Sequence, residues 1–149
     1  MVKRVVCVSG CFNTNSLTPR TLDWIRSSTP ESFRKDVAPL AKRYDEASPD
    51  GPTHFPVVFE KTKRLWLSEP DIPREDLAKI IAPMLIMAAD GDSITAEHTL
   101  ELLKSIKGAQ LCISPGATHL LLSERPDATN GAILDFLLAD DKEKKKSAM

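Results

Sequence analysis

Charge of one sign, long apolar runs and paired cysteines are all scarce in this sequence of 149 residues, a length that fits one domain. Its net charge of −1 gives no basic surface for nucleic acid, and 42% hydrophobic residues exclude a disordered class. Three cysteines, an odd number, argue against a disulfide framework and for reduced thiols. The first apolar stretch, of about six residues after Lys3-Arg4, is too short for a signal segment or a membrane span, which predicts a cytoplasmic protein with no membrane partner. No internal repeat occurs. Neither Cys-x-x-Cys nor His-Glu-x-x-His is present, and the separations of His54, His98 and His119 give no ligand spacing, so neither a metal nor a cofactor is expected.

What is present is concentrated in the last third. Pro83 to Ala89 is short, uncharged and closed by the turn residues Asp90-Gly91-Asp92, as a strand buried on both faces reads. From Thr95 to Ile106, Leu100, Leu103 and Ile106 recur at three-residue steps, Thr95 is placed to cap, and Gly108 suits a helix end. Ala109 to Ile113 reads as another strand, Ser114 to Thr118 as a turn, and Pro126 to Leu138 as a closing helix. Strand, helix, strand, helix implies parallel pairing with a right-handed crossover, so Asp92 and His119 leave one edge of the sheet together. Arg4 to Ser9 is a further apolar strand.

An apolar strand ending in an acid, a helix, a strand running into Pro115-Gly116-Ala117-Thr118-His119, then Glu124-Arg125-Pro126 and a helix ending Ile133 to Leu137, resembles the C-terminal half of the α/β-hydrolase family. The resemblance implies an acid that orients a histidine, and a histidine that serves as general base for a nucleophile on an earlier strand. By this match Asp92 is the acid and His119 the base, 27 residues apart; Asp90 competes for the acid's role. The family's Gly-x-Ser-x-Gly elbow is missing. Its nearest counterpart, Cys7-Val8-Ser9-Gly10-Cys11, lacks both glycines, and the Gly-rich loop that supplies an oxyanion donor is missing too. Cys7 and Cys112 read as small hydrophobes within strands, whereas Cys11, just past the first strand, is the candidate for a Cys-His-Asp alternative. His54 and His98, the remaining histidines, are expected on the surface or in a cap.

Nine of the eleven prolines fall between Pro19 and Pro83 and punctuate short helices. Thr18-Pro19 and Thr29-Pro30 read as cap-and-first-turn pairs, with Ser28 and Glu31 placed for a capping box. Phe33, Val37, Leu40 and Tyr44 share a helical face that Pro39 should interrupt near Ala38. A further helix carries Phe55, Val58, Phe59, Leu65 and Trp66, and Asp76 to Ile80 leads into the next strand. In the family an inserted helical cap stands here. Its aromatic residues read first as the cap's own core and second as walls of an apolar pocket.

The expected fold is α/β: a partial α/β-hydrolase fold, with a small parallel sheet in the order first, second, third strand, flanked by helices. Residues 1–12 and 76–140 make the core, 13–75 the inserted helical cap and 141–149 a charged tail. Two function classes follow. One is the acid-and-base half of a hydrolase of an ester, amide or similar bond, acting on a small molecule with an apolar part and completed by an N-terminal nucleophile half. The other is a catalytically inactive remnant that serves as a homo-oligomeric or partner-binding module, since Arg4 to Ser9 would be an apolar edge with unpaired amides.

Overall fold

In a computed structural model, which describes residues 2–139, three parallel strands form one sheet in the order β1 (Val5–Val8), β2 (Met84–Gly91), β3 (Gln110–Thr118). The charged tail expected at 141–149 lies outside the described residues. Val5 aligns with Met84 and Val8 with Met87, while Leu85 aligns with Gln110 and Ala89 with Ser114. The central strand is apolar without alternation because both of its faces are covered. Met84 and Ile86 point into one cluster with Phe12, Leu77, Leu102 and Ile106; Leu85, Met87 and Ala89 point into the other with Ala117, Leu121 and Phe136. Helix α6 (Ala96–Ser105) closes the first cluster and α8 (Pro126–Leu137) the second. Each fully buried side chain of this kind stabilises the fold by roughly 1.5 to 3 kcal/mol.

Between β1 and β2 the chain forms α1 (Pro19–Ser27), α2 (Pro30–Asp36), α3 (Ala38–Ala47), α4 (Phe55–Ser68) and the short α5 (Arg74–Leu77). Thr18 and Thr29 cap α1 and α2 with proline in the first turn. The capping box at α2 pairs Thr29 with Ser32 rather than engaging Ser28 and Glu31; Ser28 instead ends α1. The interruption expected near Ala38 falls at Val37, which leaves helical geometry one residue earlier: Pro39 has no N–H to continue the α2 ladder and its ring would clash with the carbonyl four residues back, so a new helix starts with proline in its first turn. Phe33 organises these helices: its ring lies 5.2 Å from Trp24, 5.1 Å from Phe59 and 5.9 Å from Trp66. Those rings pack on one another, with Phe59 buried and Trp66 left partly exposed.

Three expectations need correction. β3 continues through Thr118 instead of turning at Ser114, because Gly91 and Thr118 resume the pairing beyond an irregularity after Ala89. Of the lead-in at Asp76 to Ile80, Asp76 and Leu77 belong to the end of a short helix, α5, which Ala78 caps. A further short helix, α7 (Leu121–Glu124), has no counterpart among the elements expected from sequence; it buries Leu121 completely.

The two glycines at 91 and 131 should respond oppositely to a methyl group. A Cβ at Gly91 would sit 2.8 Å from the carbonyl oxygen of Ala117, so β2 and β3 would have to part. Gly91→Ala should cost about 1 to 3 kcal/mol. Gly131, inside α8, has open space around it, and Gly131→Ala should add about 0.5 to 1 kcal/mol. Urea unfolding of both variants reads the contrast.

Candidate active site

Because β2 and β3 are parallel neighbours, the residues just past their ends share one sheet edge. The structure brings Asp92 and His119 together there: Nδ1 of His119 lies 2.8 Å from Oδ1 of Asp92. The Asp92 side chain is only 1% exposed and the imidazole about half, at 49%. The other ring nitrogen, Nε2, makes no hydrogen bond among the described residues. Asp90 is elsewhere. Its carboxylate accepts from the amides of Gly116 at 2.8 Å and Ala117 at 3.3 Å, stapling β2 to β3 across the irregular pairing.

A buried carboxylate needs donors, and Asp92 has them from several segments. Oδ1 also accepts from the amide of Ile94 at 3.1 Å, a local turn within its own loop. Oδ2 accepts from the hydroxyl of Ser9 at 2.5 Å and, at a long 3.5 Å, from the amide of Ala89. The turn that carries His119 is clamped on both sides. Glu124 accepts from the amide and hydroxyl of Thr118 at 2.6 and 2.7 Å, and Arg125 donates to the carbonyl of Gly116 at 3.3 Å. Gly116 sits at φ 63°, a left-handed conformation that explains glycine in the Pro-Gly-Ala-Thr-His segment.

The electrostatics follow from these contacts. Burial pushes the Asp92 carboxyl upward as the largest single influence, but hydrogen bonds from His119, Ser9 and Ile94, with the charge on the imidazole, outweigh it and bring it down to about 2. For His119 the hydrogen bond to Asp92 dominates and raises its proton affinity, against the opposing effect of burial. Asp90 is held below the carboxylate range chiefly by the amide of Gly116. The arrangement can hold an imidazole in one tautomer and stabilise its protonated form, leaving Nε2 to take or give a proton.

Other candidates are not part of it. Cys11 is exposed and no hydrogen bond joins it to His119. Cys7 and Cys112 are half-buried in β1 and β3, and burial raises the Cys7 thiol. His54 lies in a turn between α3 and α4. His98, expected on the surface or in a cap, is 3% exposed on α6, where it stacks on Phe12 and its Nε2 accepts from the Phe12 amide at 3.2 Å. It thus ties the segment after β1 to α6. Among the described residues no three metal-ligating side chains cluster, and no helix is long and apolar enough to cross a membrane.

This arrangement of sheet and helices recurs in solved structures. It matches 91% of this chain to 56% of a meta-cleavage product hydrolase from Pseudomonas fluorescens, at a TM-score of 0.66 and 20% identity. The fold is part of the α/β-hydrolase fold. An α/β-hydrolase enzyme from a deep-sea metagenome library (TM-score 0.62, 18% identity, 92% of this chain and 56% of that one) and an enol-lactonase from Burkholderia xenovorans (0.59, 22%, 91% and 56%) match likewise. The chain spans a little over half the length of these structures. No family model and no curated protein matches the sequence.

The residue that sequence reading did not connect to the pair is Ser9. Its one signal was its place at the end of an apolar strand within the nearest approach to a Gly-x-Ser-x-Gly pentapeptide. Its hydroxyl meets the acid, not the imidazole, which is the wrong partner for a nucleophile.

The pair predicts a pH signature. His119, with its affinity raised, stabilises the fold below its ordinary 6.5 and loses that contribution as pH rises through its folded value. Asp92, lowered, contributes above its ordinary 3.8 and loses that as pH falls towards about 2. The stability gap between the native protein and Asp92→Asn should be widest between these ordinary values and narrow on either side. In NMR titration His119 should titrate above 6.5 and fall in Asp92→Asn; a native value at or below 6.5 would contradict the pairing.

Proposed function

We propose that this chain supplies the acid and base of a hydrolase acting on an ester, amide or similar bond of a small molecule with an apolar part. The observation that carries this is the buried Asp92 carboxylate holding Nδ1 of His119 while Nε2 stays open. In that role His119 Nε2 accepts the proton of an attacking hydroxyl and later returns it to the leaving group, and Asp92 stabilises the imidazolium between the two steps. In this reading the helices inserted between β1 and β2, around Phe33, serve as a cap over the substrate. The names of the structural neighbours, an enol-lactonase and a meta-cleavage product hydrolase among them, support the reaction class.

The nucleophile has to come from outside the described residues, since none of them places a hydroxyl or thiol on His119 Nε2. The geometry favours one place for it. β1 pairs with β2 on one side and with no described strand on the other. Val5 and Ser9 donate to the carbonyls of Pro83, just before β2, and Met87 within it, so by alternation Val6 and Val8 turn their amides and carbonyls outward. A strand seated there, ending in a nucleophile, completes the site. The same open edge supports a second reading, an inactive module that pairs β1 with its own copy across a twofold axis.

On p-nitrophenyl acetate this chain alone should show background rates, because each missing oxyanion donor removes roughly 3 to 4 kcal/mol of transition-state stabilisation. An assembly that includes the nucleophile strand should hydrolyse the ester, and Asp92→Asn or His119→Ala should each lower that rate by on the order of 10⁴-fold. Activity insensitive to both substitutions would overturn the proposal. Activity of the chain alone that both Cys11→Ala and His119→Ala abolish would install a cysteine nucleophile instead.

Val6→Pro removes an outward donor without touching the bonds to β2. Sedimentation of dilute protein should therefore show weaker association through this edge with the monomer still folded. A stable native monomer would contradict pairing of β1 with its own copy.

A further inference from the structure

The hydroxyl of Ser9 is spent on a single acceptor, Oδ2 of Asp92, across 83 residues of sequence. The backbone there is unusual: Ser9 has φ 47°, making it the described non-glycine residue in the left-handed region. Side chains seldom occupy that region, and each instance is strained. The turn is tightly fitted as well. The Ser9 amide bonds the carbonyl of Met87 at 2.8 Å, and a Cβ on the following Gly10 would overlap the Cys7 sulfur, at 2.2 Å. A glycine at position 9 would adopt the same turn with less strain, so the turn by itself gives no reason for a serine.

The geometry of the carboxylate gives one. With its side chain 1% exposed, Asp92 has no access to solvent that could replace a lost donor. Oδ1 has two partners, His119 and Ile94, but Oδ2 has Ser9 at 2.5 Å and otherwise only the Ala89 amide at 3.5 Å, beyond ordinary hydrogen-bond range. Without the hydroxyl, a buried anionic oxygen is left nearly unsatisfied. The carboxylate would then rotate to share Oδ1's donors, and the aim of Oδ1 at Nδ1 would be lost.

We propose that Ser9 is a positioning residue for the Asp92–His119 pair, its hydroxyl fixing the rotation of the carboxylate so that one oxygen stays on the imidazole. The role rests on the hydrolase reading for its use, but the positioning itself is a property of the pair. Ser9 also immediately follows Val8, whose peptide faces the open edge of β1. Whatever seats on that edge is therefore one residue and one hydrogen bond from the acid.

The test separates hydroxyl from turn. Ser9→Gly keeps the left-handed backbone and deletes the hydroxyl; Ser9→Asn tolerates the same backbone and keeps a donor. The readouts are the Asp92 carboxyl titration by carbon NMR and the downfield Nδ1 proton of His119. In Ser9→Gly the Asp92 midpoint should rise by about 1 pH unit and the Nδ1 proton should broaden into exchange with water, with the fold intact by circular dichroism. Ser9→Asn should return both towards native behaviour. A folded Ser9→Gly with both signals unchanged would overturn the proposal and leave Ser9 as a turn residue. If Ser9→Gly failed to fold, a folded Ser9→Ala with both the Asp92 midpoint and the Nδ1 proton unchanged would overturn it equally. None of these outcomes depends on hydrolysis, so the hydrolase reading fails separately, through activity that survives loss of His119.

Discussion

A carboxylate buried almost to exclusion of solvent is the constraint on which the carboxyl edge of this sheet depends. Asp92 has to be surrounded by donors, and no single element provides them. One comes from the turn after β1, one from the turn after β2, and one from the loop after β3. The three strand ends must therefore stay in register, and Gly91 is where that register is tightest, with the backbone of Ala117 against its α-carbon. Asp90 reinforces the same junction from the other side by accepting the amides of Gly116 and Ala117. Two acids that look alike in sequence thus divide the work: one fastens the strands and the other uses the fastening.

The segments outside the sheet serve the same edge. The chain between β1 and α1 is clipped to the chain between β2 and α6 by Thr18 to Ser93 and by Thr95 to Ser16, and to α6 itself by the Phe12 amide on His98. Past β3, Glu124 and Arg125 hold Thr118 and Gly116 so that the intervening turn projects His119. His98 matters in the neutral form, since Nε2 can accept from Phe12 only while unprotonated, and burial depresses its proton affinity in that direction. His98, which is buried, therefore ties the segment after β1 to α6, while His119, half-exposed, keeps a face open.

Much of this was legible because the signals were local or periodic. An uncharged run with turn residues at both ends can be buried on two faces only in a covered parallel sheet, which is how β2 behaves. Thr95, Thr18 and Thr29 announced their helices through capping chemistry that acts over three residues. The misses were contacts with no local signature. β3 reads through Pro115 and Gly116 because pairing with β2 resumes past its irregularity, and propensity alone ends the strand at Ile113. His98 has the sequence look of an exposed helix residue, yet it is buried and stacks on Phe12, 86 residues away. The Ser9–Asp92 bond is of the same kind: nothing in Val8-Ser9-Gly10 says which acid the hydroxyl meets.

The acid and the histidine sit on consecutive strands, joined by one helix, and their geometry is settled by β2, α6 and β3 without reference to anything beyond β1. A nucleophile strand placed outside β1 would contribute to neither the burial of Asp92 nor the clamp on His119. The Asp92–His119 pair is thus assembled within a chain that spans a little over half the length of the structures it matches. Only one of its hydrogen bonds reaches across the sheet towards the open edge, and that bond is made by Ser9. A pair assembled from neighbouring strands but steadied from the far one stays intact when the edge is empty, and remains in contact with whatever fills it.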